Sequence, residues 1–292
     1  MQKTELCTIT ILILLILSAV SVQFAKSQST TNLININADG SIYPQTTPIL
    51  RNGNIYKLTD NISGSVAVHK SNIVIDGAGY ALNGNGGTGI DLTGNLTEYP
   101  SIYEIRNVTI ENLGIVNFNY SINARGSSQN TFYNDYIANT TSDVHGGVLL
   151  YWNAGGNNIT HCTIIGTPYA IGIELSSGNT ITGNNLSGGV LMQFAGNETV
   201  DRNYWSDYST RYPNAIELDS SGIGNTPYVL DTYGTVNGTL QDNHPLMNPV
   251  TLSTFPTASV ESVPEFPTMI ILTLLIAATL PVLLVFFKKH KD

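Results

Sequence analysis

Asn179-Thr-Ile-Thr-Gly-Asn-Asn-Leu186 is one unit of a repeat that runs through most of the chain. Its apolar residues, Ile181 and Leu186, stand five apart with a small polar turn between them. The same pairing recurs as Ile110 with Ile115, Phe132 with Ile137, Ile159 with Ile164 and Val200 with Trp205, and both columns advance in steps of 22, 27, 22 and 19 residues. A third column, Ile122, Leu149, Ile171 and Val190, lies ten residues before the next first-column residue. Two positions on, Ala124, Tyr151, Ile173 and Met192 continue it inward. Upstream, Ile75 and Tyr80 repeat the first two columns at an offset of 35, one coil plus an inserted loop near 94–104. A period near 22, with short alternating strands separated by Asn and Gly, is the pattern of a parallel β-solenoid. One coil buries little by itself. Coils stacked at about 4.8 Å bring equivalent side chains into ladders, so the apolar columns merge into one core.

The turn between the first two columns carries Leu113, Asp135, Cys162, Asn184 and Asn203. An inward Asn there can pair its amide with the coil above. Cys162 reads in that column as a small buried hydrophobe. Strands expected at 55–58, 66–68 and 73–75 make the segment from Asn32 the first coils of the same solenoid. The repeat stops at Asn203-Tyr-Trp-Ser-Asp-Tyr208. Residues 206–249 are expected to cap the open end, which otherwise presents unpaired backbone groups.

Both termini point to export. Lys3 precedes an apolar run, Ile9 to Val22, of signal-peptide length. Nineteen largely apolar residues, Met269 to Phe287, precede Lys288, Lys289, His290, Lys291 and Asp292. As a helix they would rise about 28 Å, enough to span a bilayer, with the basic tail on the cytoplasmic side. The expected organisation is a signal peptide at 1–27, a β-helix at 28–205, its cap at 206–249, a linker at 250–268, a transmembrane helix at 269–287 and a tail at 288–292. Residues 28–267 hold seven Lys and Arg against nineteen Asp and Glu, a net charge of −12. That acidity argues against nucleic acid and anionic lipid as partners. Cys7 leaves with the signal, so Cys162 has no partner for an intramolecular disulfide.

Several motifs carry a family resemblance. Asn72-Ile-Val-Ile-Asp-Gly-Ala-Gly79, the 179–186 coil, Asn203-Tyr-Trp-Ser-Asp-Tyr208, Gly222-Ile-Gly-Asn-Thr-Pro-Tyr-Val-Leu230 and Gln241-Asp-Asn-His-Pro-Leu246 together resemble the NosD-like family across roughly 34–249. The resemblance implies an all-β, single-stranded right-handed parallel β-helix of the carbohydrate-binding and sugar-hydrolase type. It also implies copper, since founding members are periplasmic copper-binding accessory proteins. A copper site wants clustered His, Met or Cys, whereas His69, His145, His161 and His244 are scattered. Related chains carry an Asp-rich loop that looks like a calcium loop. Here it reads Asp219-Ser-Ser-Gly-Ile-Gly-Asn225, leaving Asp219 and Asn225 as candidate ligands with Ser221 and Asn225 at two expected carboxylate positions. Val263-Pro-Glu-Phe-Pro267, the apolar span and the basic tail resemble the PEF-CTERM sorting signals of archaeal surface proteins, which a membrane archaeosortase reads.

Two outward columns are candidate sites. Asp76 and Glu111 fall on adjacent coils, a spacing suited to paired-carboxylate hydrolysis or to holding Ca²⁺ for a lyase, although their column supplies no Lys or Arg beside them. Arg125, Trp152, Glu174 and Gln193 each follow an inward residue, so alternation turns them outward and joins an indole face to charged and amide groups. Sugars match that combination, their C–H faces lying on the ring and their hydroxyls pairing with polar neighbours. Of nine Asn-x-Ser/Thr sequons, those at Asn61, Asn95, Asn139 and Asn237 fall in expected loops and are the candidates for glycan. The expected protein is a cell-surface, membrane-anchored β-helix with a structural or polysaccharide-binding role and no cofactor other than calcium. A glycan lyase, hydrolase or epimerase is the rival, followed by a copper accessory role.

Overall fold

The computed structural model describes residues 32–93, 105–142, 146–233 and 240–252. All of them lie in the first of two units into which the chain divides, Met1–Phe255. The predicted signal peptide, transmembrane helix and tail lie outside the described residues, as do the 94–104 insertion, His145, Asn95 and Asn237. Among the described residues no helix is long and apolar enough to cross a membrane.

The described chain is an all-β, right-handed parallel solenoid of about six turns. Sheet I stacks Ile55–Leu58, Ile73–Asp76, Val108–Glu111, Thr131–Tyr133, Asn158–Thr160, Thr180–Thr182 and Thr199–Asp201. Sheet II stacks Ala81–Asn83, Gly114–Val116, Tyr136–Ala138, Thr163–Ile165, Asn185–Leu186 and Tyr204–Trp205. Sheet III stacks Thr88–Asp91, Tyr120–Asn123, Val148–Tyr151, Ile171–Glu174, Val190–Gln193 and Asp231–Tyr233. In the first coil one strand, Ile62–Val68, serves both II and III, pairing with Leu82 at one end and Ile90 at the other. Asn32–Ile36 adds to it in parallel, and Ile49–Asn52 folds back antiparallel on sheet I.

The first two columns stack as their spacing predicts. Ile75, Ile110, Phe132, Ile159, Ile181 and Val200 are successive partners on sheet I, and Ile115, Ile137, Ile164, Leu186 and Trp205 on sheet II. All are buried. Two registers need correction. Leu82, not Tyr80, stacks on Ile115, because Gly77-Ala-Gly-Tyr80 lengthens the first turn by two residues. On sheet III, Val148 and Leu150 point inward rather than Leu149 and Tyr151: Val148 partners Ile122 and Ile171, and Leu150 partners Ile173. The following turn, through Gly155-Gly156, holds one residue more than its neighbours, so counting ten back from Ile159 lands one position late.

Amide ladders secure two of the turns. Asn184 Oδ1 accepts the Cys162 N–H (2.8 Å), and Asn203 Oδ1 accepts both the Asn184 N–H (3.1 Å) and its Nδ2 (2.9 Å). At the III-to-I turn, Asn130, Asn157 and Asn179 do the same, each oxygen taking the N–H of the rung before: Val108 (3.0 Å), Asn130 (3.0 Å) and Asn157 (2.9 Å). These bonds satisfy turn N–H groups that face the core and would otherwise be costly there. Cys162 is wholly buried, as its column implies.

The C-terminal end is closed by residues after 205. Trp205 stacks on Tyr228 (4.2 Å between centroids, 3° between planes), and its Nε1 donates to Asp242 (3.0 Å). The buried Asp242 carboxylate also takes the N–H groups of Arg202 (3.0 Å), Asn203 (2.8 Å) and His244 (3.0 Å). It thereby finishes the Asn184–Asn203 ladder. Asn185 then clasps the backbone of Val250 with two bonds, 2.9 and 2.7 Å, laying the outgoing chain along sheet II.

Candidate functional site

The corner where sheet III turns toward sheet I gathers three of the four residues expected to line a ligand face. Tyr151, Glu174 and Gln193 are consecutive rung partners. The bonds from Ala124 N–H to Leu149 O (2.9 Å) and from Gly126 N–H to Tyr151 O (2.9 Å) bring Arg125 over Tyr151. Its guanidinium carbon lies 5.0 Å from that ring centroid, within cation–π reach. The outward column is therefore Arg125, Tyr151, Glu174 and Gln193. Trp152 belongs to the next column, because of the longer turn.

That next column is the more informative. Trp152 N–H bonds to Glu174 O (3.0 Å), Asn153 N–H to Leu175 O (3.0 Å) and Leu175 N–H to Gln193 O (3.1 Å), so Trp152, Leu175 and Phe194 occupy one slot on three consecutive coils. Each is left-handed, with φ of 54°, 50° and 49°. Each is 42–49% exposed. The same slot one coil earlier holds Gly126 (φ 64°); the left-handed slot after sheet I holds Asn112, Asn134, His161, Gly183 and Arg202 in turn, and the one after sheet II holds Asn117, Asn139 and Gly166. Gly and Asn accept this conformation readily, whereas a bulky residue in it costs on the order of 1–3 kcal/mol. Here backbone strain coincides with exposure of large apolar side chains, so the sequence accepts two costs at one ridge. The Tyr151 and Trp152 rings meet edge-on, 6.0 Å apart at 72°.

Beside the ridge lies a groove of about 540 Å³, bordered by Asn153 and Gly155, by Leu175 to Ser177 and by Phe194 to Asn197. Its floor is fixed. Ser176 Oγ accepts the Ala154 N–H (3.1 Å) and donates to Glu174 O (3.0 Å), and Ala154 and Ala195 are core residues. Asn153, Ser177 and Asn197 are exposed along it. Apolar faces alternate with uncharged donors and acceptors, a surface suited to binding rather than to proton transfer.

The acidic pair lies on the outer face of sheet I. Asp76 and Glu111 are direct rung partners. Contrary to the sequence reading, a cation stands beside them: Lys57 is the rung before, its Nζ 3.4 Å from Asp76 Oδ2. Ile55–Leu58 joins this ladder in parallel, with the antiparallel Ile49–Asn52 on its other edge. Asp76 Oδ1 accepts from Ala78 N–H (2.8 Å) and Asn112 Nδ2 (3.3 Å). Partial burial, and then the charge of Asp76, raise the Glu111 carboxyl above the usual range. Tyr133 follows on the next rung and meets the His161 ring at 5.6 Å.

The remaining candidates stand apart. Asp219 is exposed on a hairpin formed by Glu217–Leu218 and Ile223–Gly224. Asn225 Oδ1 is occupied by Ile216 N–H (3.1 Å) and Thr226 Oγ1 (3.1 Å), and Glu217 Oε1 by Gly222 N–H (2.7 Å). Among the described residues no three His, Cys, Asp or Glu side chains are grouped to hold a metal ion. His244 pairs with Asp201 (2.6 Å), far in the sequence from His69, which faces Asn35. Asn61 is exposed and its Oδ1 accepts the Ala81 N–H (2.9 Å), while Asn139, also exposed, donates Nδ2 to Asn117 (3.1 Å).

Tyr151, Leu175 and Phe194 are the site residues that the sequence reading missed. Their signal was present: Leu175 and Phe194 both stand six before a first-column residue, as Gly126 does, and Trp152 stands seven before. The chain was also compared with protein-family models, with curated proteins and with solved structures, and it matches none of them.

Proposed function

We propose that this chain is an exported, membrane-tethered β-solenoid that binds envelope or extracellular polysaccharide at the corner formed by Trp152, Leu175 and Phe194. The observation that carries the reading is the stack of three strained, exposed, bulky side chains in a slot that the preceding coil fills with Gly126. A ring or branched alkyl group at each rung offers a face for sugar C–H groups, and Arg125, Tyr151, Glu174 and Gln193 offer hydroxyl partners beside it. The apolar segments near both ends support the exported, anchored location, and the Pro-Glu-Phe tail supports archaeosortase processing. The NosD-like motifs agree with a carbohydrate-directed solenoid. A glycan array probed with the full chain in detergent tests the proposal. Binding that Trp152→Ala reduces at least tenfold, with thermal unfolding unchanged, is the expected result; retention that ignores Trp152→Ala, or no retention at all, overturns it.

The second reading is a polysaccharide-processing enzyme centred on Glu111. It is favoured by a carboxyl raised above its usual range by partial burial and by Asp76, beside a carboxylate paired with Lys57, the pattern by which paired acids divide general-acid and charged roles. Release of new reducing ends or unsaturated products from bound glycan, abolished by Glu111→Gln, would establish it. Calcium in the 219–225 loop and copper on the dispersed histidines draw no comparable support from the geometry.

A further inference from the structure

We infer that the ligand is an uncharged, extended polysaccharide lying along the solenoid axis and contacting three coils at once, one sugar ring to each of Trp152, Leu175 and Phe194. The inference rests on the glycan-binding reading and adds the direction, charge and length of what is bound.

Direction follows from register. The three side chains are consecutive rungs, so their faces repeat at the inter-strand step of about 4.8 Å, comparable with one ring of an extended chain. A compact ligand would need convergent walls, whereas this surface is a ridge with a groove running beside it across the same three coils.

Charge follows from the lining. The groove carries amides, hydroxyls and backbone from Asn153, Ser177 and Asn197, with no Lys, Arg or acid along its border. Arg125 and Glu174, which flank Tyr151 on either side of its rung, are opposite in sign, and Arg125 is already engaged with that ring, while Glu198, next to Asn197, is buried and accepts the Asn179 N–H. Recognition of uronate, sulfate or phosphate uses Arg or Lys aimed at each anion. The whole chain, at −9, repels a polyanion besides.

Length follows from where the ridge begins. The coil before Trp152 presents Gly126, which offers no face. Among the described residues the ridge is three rungs long, which defines three subsites, and added sugars beyond three should contribute little.

The test is calorimetric titration of the detergent-solubilised full chain with gluco-, manno- and N-acetylglucosamine oligomers of one to six units, and with oligogalacturonates of the same lengths. The expected result is a neutral series whose affinity climbs at least tenfold from one to three units and then levels. Phe194→Asn should lower that affinity at least tenfold and move the plateau to two units, while Trp152→Tyr, which keeps a ring, should retain it. A preference for oligogalacturonates, or a monosaccharide binding as tightly as the hexamer, overturns the extended neutral ligand and leaves glycan binding standing. Absence of binding to every oligomer, on a protein with the parental unfolding curve, overturns this inference, and an empty glycan array beside it overturns the broader reading too.

Discussion

Asp135 occupies the turn slot that Asn184 and Asn203 fill in later coils, and it performs half of their task. Its Oδ1 accepts the Leu113 N–H at 3.0 Å, but the next rung is Cys162, which offers nothing to the other oxygen. Full burial pushes the carboxyl well above the ordinary aspartate range. The unfolded chain releases that proton near pH 4. A group whose folded value is raised stabilises the fold below the unfolded value, and that contribution is lost as pH climbs toward the folded value. Asp135→Asn keeps the acceptor and removes the ionisation, so it should raise unfolding free energy at pH 7 by about 1–3 kcal/mol, with the gain vanishing near pH 4. Chemical denaturation at the two pH values checks it; equal stability at pH 7 would mean that the carboxyl is satisfied in the folded state. Glu198 ends the other ladder in a similar condition, its carboxyl raised to about 7 by burial.

At the scale of the element, the corner turn after sheet III joins backbone strain to side-chain exposure. The slot at Trp152, Leu175 and Phe194 demands left-handed backbone because the chain must reverse from an outward strand position into the amide ladder at Asn157, Asn179 and Glu198. Asn fits that backbone at other corners of this same molecule. Phe194→Asn should therefore stabilise the fold by about 1 kcal/mol while weakening retention on glycan, the opposite signs expected where strain is kept for a ligand. Thermal unfolding and glycan retention measured on one preparation decide it; a variant less stable than the parent would mean that Phe194 packs as core.

At the scale of the whole molecule, the order of parts governs where such a ridge can act. The solenoid is closed at one end by Asp242 and the Trp205–Tyr228 stack, and the outgoing chain leaves along sheet II at the Asn185–Val250 clasp. Beyond it come the Pro-Glu-Phe motif and the apolar run Met269 to Phe287. If an archaeosortase reads that motif, intact mass spectrometry of the surface protein should show a mature chain ending before Met269, and replacing Glu265 and Phe266 should yield a longer, membrane-retained product. A native chain still ending at Asp292 would make the segment a plain anchor.

What the sequence determined by itself was the solenoid and most of its register. Ile110, Phe132, Ile159, Ile181 and Val200, each followed five residues on by a second apolar residue, fix strand, turn and stacking at once, because parallel coils repeat the same chemical demand at every rung. Cys162 and the Asn turn column were legible for the same reason. What only the tertiary structure decided was everything that breaks period: the two residues added at Gly77 to Tyr80, the one added at Gly155-Gly156, and the rung that sets Lys57 beside Asp76. A side chain's face alternates with every residue, so one inserted position moved Tyr151 from the expected core to the outward column and Trp152 from the expected column to the ridge. Periodicity reports the average coil, and Tyr151 and Trp152 sit where one coil departs from it.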